Sequence, residues 1–332
     1  MKFFERAVLA VGFATLLLLL IKLNPSVVAH DIATVGWGFL LILPFPILDN
    51  TFNAFAWRFA FSRQEAKGLP FLPLFKGRVA GDGVNYLTPS GTIAGEFIRP
   101  GILGDIRSPE VKNASVVVAK LTQSLSQALF ILVGLFFVID GPLHFLNGRS
   151  RHLATGWALL VGTVIMGSIA FLAMKPGSGG RPWQAQGRFG GLRLTIRRYL
   201  LDHPVRFLLS ILFFGFGYLW GAAEVLLITH FMGLSLPLPT ALAVEVLSNI
   251  VDSLMFMVPA KVGTQEAGKT AIFYWLGYPA SAGLAFGLIR HLRELVWAGA
   301  GFLIYAVNRS ALAAASSKAP QRALSELLRE PL

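Results

Sequence analysis

Two segments of the chain carry the same arrangement of an acid and a base next to residues that interrupt helices. Residues 89–99 and 259–269 both fit the pattern Pro-x6-Glu-x2-Arg/Lys, with glycine inside the spacer. Proline and glycine free backbone N–H and C=O groups, which survive in hydrocarbon only where protein or a water-filled cavity surrounds them. A glutamate and a base at positions i and i+3 lie on one helix face, where they can pair or present opposite charges to a headgroup. The candidate residues are Pro89, Gly95, Glu96 and Arg99 in the first motif, and Pro259, Gly263, Glu266 and Lys269 in the second. A purely structural role for both glutamates is the competing interpretation.

Three further sets of polar residues recur at helical spacing inside apolar stretches. They are Lys120, Gln123, Ser124 and Gln127; Glu245, Asn249 and Asp252; and Arg290, Arg293, Glu294 and Trp297. An isolated charge at the centre of a bilayer costs roughly 2.5–3.5 kcal/mol on insertion scales. The three stripes therefore predict a shared polar interior, in which Arg290 or Arg293 pairs with Glu245, Asp252 or Glu266. Hydrogen bonding between helices without any substrate is the alternative.

The composition indicates which elements must position these groups. Of the 332 residues 55% are hydrophobic and only 14% are charged, and the mean hydropathy is +0.63. Such a chain cannot cover a globular surface with polar groups, so lipid must solvate much of it. The net charge of +12 does not indicate nucleic-acid binding, because the basic residues lie between apolar runs and form no stripe on a soluble module. Without cysteine, and with six scattered histidines, the sequence predicts no metal site and no cofactor.

Hydropathy predicts an all-α polytopic membrane protein with about six transmembrane helices and two broken re-entrant hairpins. The predicted spans are residues 6–23, 36–60, 113–139, 154–174, 206–230 and 281–306. Each is long enough to cross a hydrocarbon core of roughly 30 Å. The hairpins are segments 69–104 and 238–278, which are apolar but interrupted by proline, glycine and charge. The first span, which follows Lys2 and Arg6, is expected to be a retained helix and not a cleaved signal peptide.

The distribution of basic residues predicts the orientation. With the N-terminus in the cytoplasm, 21 of the 29 Lys and Arg residues fall on the cytoplasmic side and five on the opposite side. Both termini are then cytoplasmic, and the two hairpins enter from opposite faces of the membrane. We therefore predict one transmembrane domain over residues 1–308, with an inverted repeat of halves 36–139 and 206–306, and a cytoplasmic tail over 309–332.

The motifs resemble a known family. Asn85 to Pro89, Gly95 with Glu96 and Arg99, then Pro259, Gly263 and Glu266, then Arg290 to Glu294 are similar to the transmembrane flippase-like domain of lysylphosphatidylglycerol synthases. The chain resembles most the stand-alone bacterial members, which include membrane proteins associated with hopanoid biosynthesis. The resemblance spans about residues 1–308. It implies a protein of the bacterial inner membrane that moves lipids between leaflets, and it adds Asn85 to the candidate site.

The leading interpretation is a lipid flippase or transporter that acts on a phospholipid or a hopanoid-type amphiphile. Its expected partners are membrane lipids and, in addition, proteins of lipid biosynthesis. We expect no aminoacyl-transfer activity, because about 24 residues follow the last predicted span whereas the synthases carry that chemistry in a large soluble domain. Two alternatives are a membrane-embedded transferase that modifies lipids and an accessory subunit of a lipid-synthesis complex. Against the transferase, Asp31, Asp82, Asp105 and Asp202 are each expected to stand alone.

Overall fold

The computed structural model describes residues 13–88, 94–140, 199–255 and 258–327. Within these ranges all regular secondary structure is helical, which confirms the all-α prediction. The helices are α1 (Phe13–Lys22), α2 (Pro25–Val35), α3 (Phe39–Ile42), α4 (Pro46–Phe59), α5 (Phe71–Leu87), α6 (Ala94–Ile102), α7 (Pro109–Asp140), α8 (Pro204–Phe231), α9 (Leu238–Leu254), α10 (Thr264–Trp275) and α11 (Ala280–Leu327). The predicted tail therefore continues α11 as far as Leu327.

Three helical segments of the described ranges are long and apolar enough to cross a membrane. They are Pro25–Ile42, Pro109–Phe136 and Pro204–Phe231. The last two coincide with the predicted spans 113–139 and 206–230. The predicted span 281–306 lies within α11, whose apolar stretch is interrupted by Arg290, Arg293 and Glu294. The predicted span 154–174 lies outside the described residues.

The prediction of one straight helix over residues 36–60 is wrong. A short 3-10 turn over Gly36–Gly38, α3 and α4 occupy this segment, and the chain is broken between Ile42 and Pro46. The physical cause is the pair Pro44 and Pro46, which lack the N–H groups that a continuous helix needs. Two indoles satisfy the carbonyls released at the break. Trp297 Nε1 donates to the Leu43 carbonyl at 2.8 Å, and Trp220 Nε1 donates to the Phe45 carbonyl at 3.0 Å.

Each predicted hairpin consists of two helices separated by an interruption. In the first segment α5 packs against α6, and the residues between them include Pro89, which lies outside the described ranges. In the second segment α9 packs against α10, and a short 3-10 turn over Pro259–Lys261 precedes α10. Ala260 and Lys261 have positive φ angles of 50° and 54°, and Gly263 follows at 76°. Because non-glycine residues rarely adopt positive φ, this turn is held in place by its surroundings.

The long helices and the broken segments interlock. Helix α4 packs on α8, α5 packs on α11, and α9 packs on α7. One apolar core joins α2, α8, α10 and α11 around Phe273 and Phe286. A second core joins α4, α5, α7 and α8 around Trp57 and Phe214. The polar faces of the same helices are thereby turned toward one another.

Helices α5 and α11 come close enough that their backbones touch. A Cβ atom on Gly83 would lie 2.7 Å from the carbonyl oxygen of Ala298, and a Cβ on Gly301 would clash with the carbonyl oxygen of Val79. Real Cβ atoms need more room than this, so only glycine fits at the crossing without moving a helix.

We predict that Gly301→Leu lowers the free energy of unfolding by about 1–3 kcal/mol, because it overpacks this crossing. The measurement is thermal unfolding of the purified protein in detergent. Gly299→Leu is the matched control on the same helix, since a Cβ at Gly299 meets nothing within 4 Å. Equal melting temperatures for the two variants would contradict the tight crossing.

Candidate functional site

The two broken segments and helix α7 enclose a polar cavity of about 410 Å³. Its wall combines residues of α5, α7, α8 and α9 with the turn before α10. They are Asp82, Asn85, Tyr86, Lys120, Gln123, Ser124, Gln127, Tyr218, Asn249, Asp252, Ser253, Val258 and Lys261. Since α7 and α8 are long enough to cross a membrane, the cavity lies among helices that lipid surrounds. It can therefore hold polar groups at a depth where hydrocarbon cannot.

The first motif belongs to an ion-pair network that begins at the wall of this cavity. Asp82 binds two arginines, with Arg78 Nε at 2.8 Å from one carboxylate oxygen and Arg99 Nη2 at 2.7 Å from the other. Arg99 also pairs with Glu96, and Lys120 Nζ lies 3.3 Å from the other Glu96 oxygen. Arg99 is almost fully buried, whereas Asp82 and Lys120 keep 40% and 36% of their side-chain surface exposed. The motif pair therefore lies behind the cavity and holds Lys120 at its wall.

Close packing of α6 on α5 assembles this network. The Gly95 N–H donates a 2.7 Å hydrogen bond to Asn85 Oδ1, which satisfies a backbone donor in the first turn of α6. A Cβ at Gly95 would clash with the carbonyl oxygen of Gly81. These two short contacts bring Arg99 within reach of Asp82, 17 residues earlier in the chain.

A second network joins α8, α9 and α11. Arg290 Nη1 lies 2.7 Å from Glu245 Oε2, and Arg290 Nε lies 3.4 Å from Glu224 Oε2. Arg293 Nε lies 2.9 Å from the other Glu224 oxygen, and Glu294 contacts both arginines. A cavity of about 250 Å³ is lined by residues of both networks and shares Asp82, Gln123, Tyr218, Asn249 and Asp252 with the larger cavity. The polar interior therefore extends across both halves of the chain.

The second motif is arranged differently from the first. Glu266 is completely buried and contacts His291 of α11, and Lys269 is 2% exposed. At the cavity wall, Lys261 Nζ lies 3.0 Å from Asp252 Oδ2. The motif acid thus faces α11, and a lysine from the preceding turn takes its place at the cavity.

The three predicted polar stripes converge. Gln127 Nε2 donates to Asn249 Oδ1 at 3.2 Å, which joins the first stripe to the second, and the predicted pair of Arg290 with Glu245 is present. Pro259 begins the turn that carries Lys261, and Gly263 precedes α10. The substrate-contacting role of all these residues stays a prediction.

Some expectations fail and several residues were missed. Asp82 does not stand alone, since it lies between Arg78 and Arg99. The charged or aromatic residues that sequence analysis did not single out are Arg78, Glu224, Lys261, His291, Tyr86 and Tyr218. One signal could have found the acids: Asp82 precedes Glu96 by 14 residues, and Asp252 precedes Glu266 by the same 14. Within the described ranges, no group of three or more His, Asp or Glu side chains is placed to hold a metal ion.

Comparison with known proteins places the chain in a membrane family. A family model described as the lysylphosphatidylglycerol synthase TM region matches residues 7–301. No curated protein and no solved structure matches the chain. The match extends over both broken segments and both ion-pair networks.

We predict that Asp82→Asn lowers the free energy of unfolding by about 1–3 kcal/mol, because Arg78 and Arg99 would be buried without their carboxylate. The value lies below that of a fully buried pair, since Asp82 is partly exposed. Chemical unfolding in mixed micelles provides the measurement. The matched control is Asp105→Asn, at an exposed position before α7. If both variants unfold at the same denaturant concentration, Asp82 does not stabilise the site.

Proposed function

Since the chain belongs to the family of the lysylphosphatidylglycerol synthase transmembrane region, we propose that it moves an amphiphilic lipid between the two leaflets of a membrane. The observation that carries the proposal is a charged cavity next to a large apolar groove. A lipid needs both environments at once, because its headgroup is polar and its chains are not. The proposed cargo is a phospholipid or a hopanoid-type lipid, and the proposed location is the bacterial inner membrane.

The apolar groove has a volume of about 700 Å³ and runs between α7, α8 and α9. It is lined by Ser126, Leu129, Phe130, Val133, Gly134, Val138, Ile211, Leu212, Gly215, Phe216, Leu219, Leu238, Pro239, Leu242 and Val246. Phe130 of the groove stacks on Tyr218 of the polar cavity, with ring centroids 5.6 Å apart. Ser126 of the groove precedes Gln127 of the cavity. A headgroup in the cavity and a chain in the groove would therefore be separated by one layer of side chains.

The charges of the cavity suit a zwitterionic or anionic headgroup. Each half of the chain contributes one lysine and one aspartate to its wall: Lys120 with Asp82, and Lys261 with Asp252. Both lysines already lie within 3.3 Å of a carboxylate, so an incoming phosphate or carboxylate can replace that partner without leaving a buried charge unpaired. Such exchange of partners keeps the energetic cost of moving a headgroup low.

Alternating exposure of this cavity follows if the halves form an inverted repeat. Helices α4 to α7 and α8 to α11 have the same order, with a long or broken helix, two short helices and a long helix. The packing is reciprocal, because α5 of one half lies on α11 of the other while α9 lies on α7. Rocking of one half against the other would open the cavity to each leaflet in turn. Cytoplasmic termini are part of this proposal and rest on the distribution of basic residues.

We propose further that this chain performs no aminoacyl transfer and acts as a transporter. Lipid-biosynthesis proteins are proposed as partners that supply or consume the cargo. A transferase or an accessory subunit would be indicated if purified protein left all lipids in their leaflets. The assay below separates these cases, since it contains no other protein.

We predict that Gly215→Leu slows lipid translocation at least about tenfold, because the new side chain fills the groove. A Cβ at Gly215 makes only an ordinary contact of 3.5 Å with Ser126 Oγ, so the fold can accept it. The loss of one chain-binding contact of about 1.4 kcal/mol corresponds to a factor of ten. The measurement is dithionite quenching of fluorescent phosphatidylglycerol in proteoliposomes. Gly299→Leu, on the open face of α11, is the control, and full activity of Gly215→Leu would exclude the groove as a chain path.

We predict that Lys120→Gln reduces translocation of the same anionic probe by roughly tenfold or more, since a hydrogen bond to a charged group contributes about 1.5–3 kcal/mol. Lys76→Gln provides the control, because Lys76 lies exposed on α5. A smaller effect is expected on uncharged diacylglycerol, which has no anion for Lys120 to bind. Equal effects on both probes would indicate a structural role for Lys120 instead.

A further inference from the structure

The proposed transport function leaves open what drives it, and the contact between Glu266 and His291 bears on that question. His291 Nδ1 contacts Glu266 Oε1 between α10 and α11. Glu266 is fully buried and His291 is 7% exposed. Imidazole is the side chain whose charge changes between about pH 5 and 8, so a buried histidine beside a carboxylate is suited to take up and release a proton. From this geometry, we propose that Glu266 and His291 form a proton-binding site that couples lipid movement to a proton gradient.

The site lies one side chain away from the polar interior. The ring of Tyr86 meets the ring of His291 edge to face, with centroids 6.2 Å apart and an interplanar angle of 83°. Tyr86 lines the cavity of about 410 Å³ and a smaller one of about 140 Å³ that also contains Asp49, Arg293 and Glu294. A proton on His291 can therefore exchange with water in the cavity through a small rotation of one phenol ring.

The charge balance of the site allows a single proton. With the proton bound, an imidazolium faces a carboxylate and the pair is neutral. After its release, an imidazole faces a carboxylate and the pair carries one negative charge. Lys269, one turn after Glu266 on α10 and 2% exposed, lies on the same side of the helix and can compensate that charge. Both states can therefore exist inside the protein.

The groups around the site come from every helix that packs on this part of α11. They are Glu266 and Lys269 of α10, Tyr86 and Asp82 of α5, Asp252 of α9, Glu224 of α8, Glu96 and Arg99 of α6, and Arg290 and Glu294 of α11 itself. Helix α2 also packs on α11, and the residues that line their shared groove are apolar, among them Val35, Phe39 and Ile289. Apart from Lys269, the basic groups of this set pair with acids other than Glu266.

Proton binding here can affect the cargo because the site and the cavity share one short segment. The turn that begins at Pro259 places Lys261 in the cavity wall, and it leads directly into the first turn of α10, which carries Glu266. Two consecutive non-glycine residues of this turn have positive φ angles. A change of charge between α10 and α11 is thereby transmitted to the lysine that would hold the headgroup.

The first experiment uses proteoliposomes with fluorescent phosphatidylglycerol and an imposed pH gradient of either sign. One proton moved down one pH unit corresponds to a factor of about ten in the distribution of lipid between leaflets. For the unmodified protein we expect the distribution to shift with the gradient and to reverse with its sign. In His291→Gln and Glu266→Gln the shift should disappear, and in His230→Gln, an exposed histidine at the end of α8, it should remain. Translocation that ignores the gradient in the unmodified protein would overturn the coupling while leaving lipid movement itself established.

A second measurement tests the proton site without transport, so that its failure differs from failure of the proposed function. The protein is labelled with 15N-histidine, and the His291 resonance is identified by its absence in His291→Gln. We expect this resonance to titrate between about pH 5 and 8 and its midpoint to move in Glu266→Gln. A resonance that does not titrate, or a midpoint unchanged in Glu266→Gln, would overturn the proton site even if lipids are moved.

Discussion

An ionised side chain inside hydrocarbon is stable only if protein groups supply the charges and hydrogen bonds that water would otherwise provide. Each helix that carries a charge into the interior must therefore face another helix with the opposite charge. In this protein the partners come from different parts of the chain: Arg99 needs Asp82, Arg290 needs Glu224 and Glu245, and Lys261 needs Asp252. The broken segments lie in the centre of the fold because their carboxylates and bases have partners there and would have none in lipid.

The same requirement limits how the interior can change. A lysine that moves away from its carboxylate must find another anion at once, and its carboxylate must find another cation. In the cavity such pairs involve Lys120 and Lys261, which are partly exposed, whereas Arg99 is buried behind them. Exchange of partners is therefore easiest at the cavity wall and most costly one layer deeper. The buried pairs keep the helices together, and the exposed pairs are free to respond to a ligand.

Hydropathy and helical spacing predicted the parts of the structure that depend on local sequence. Helices α7 and α8 follow from uninterrupted apolar runs, and the convergence of the polar stripes follows from the cost of an isolated charge. The break at Pro44 and Pro46 was missed because the apolar run continues through both prolines, and the two indoles that satisfy it lie about 170 and 250 residues later in the chain. The pair of Glu266 and His291 could not be predicted for the same reason, since nothing local connects residues 25 positions apart.

The two motifs share a sequence pattern but differ in what their acids contact, and the difference has a local origin. Lys120 follows Glu96 by 24 residues and contacts it; Arg290 follows Glu266 by the same 24 residues but binds Glu224 and Glu245 instead. Position 224 of α8 corresponds by the same spacing to Ala54 of α4, so the first half has no acid there to attract the base. With Arg290 engaged elsewhere, Glu266 is left to the next residue of α11, which is His291. One additional acid on α8 therefore exchanges a permanently charged partner for one that can lose its proton, and two copies of one motif acquire different chemistry.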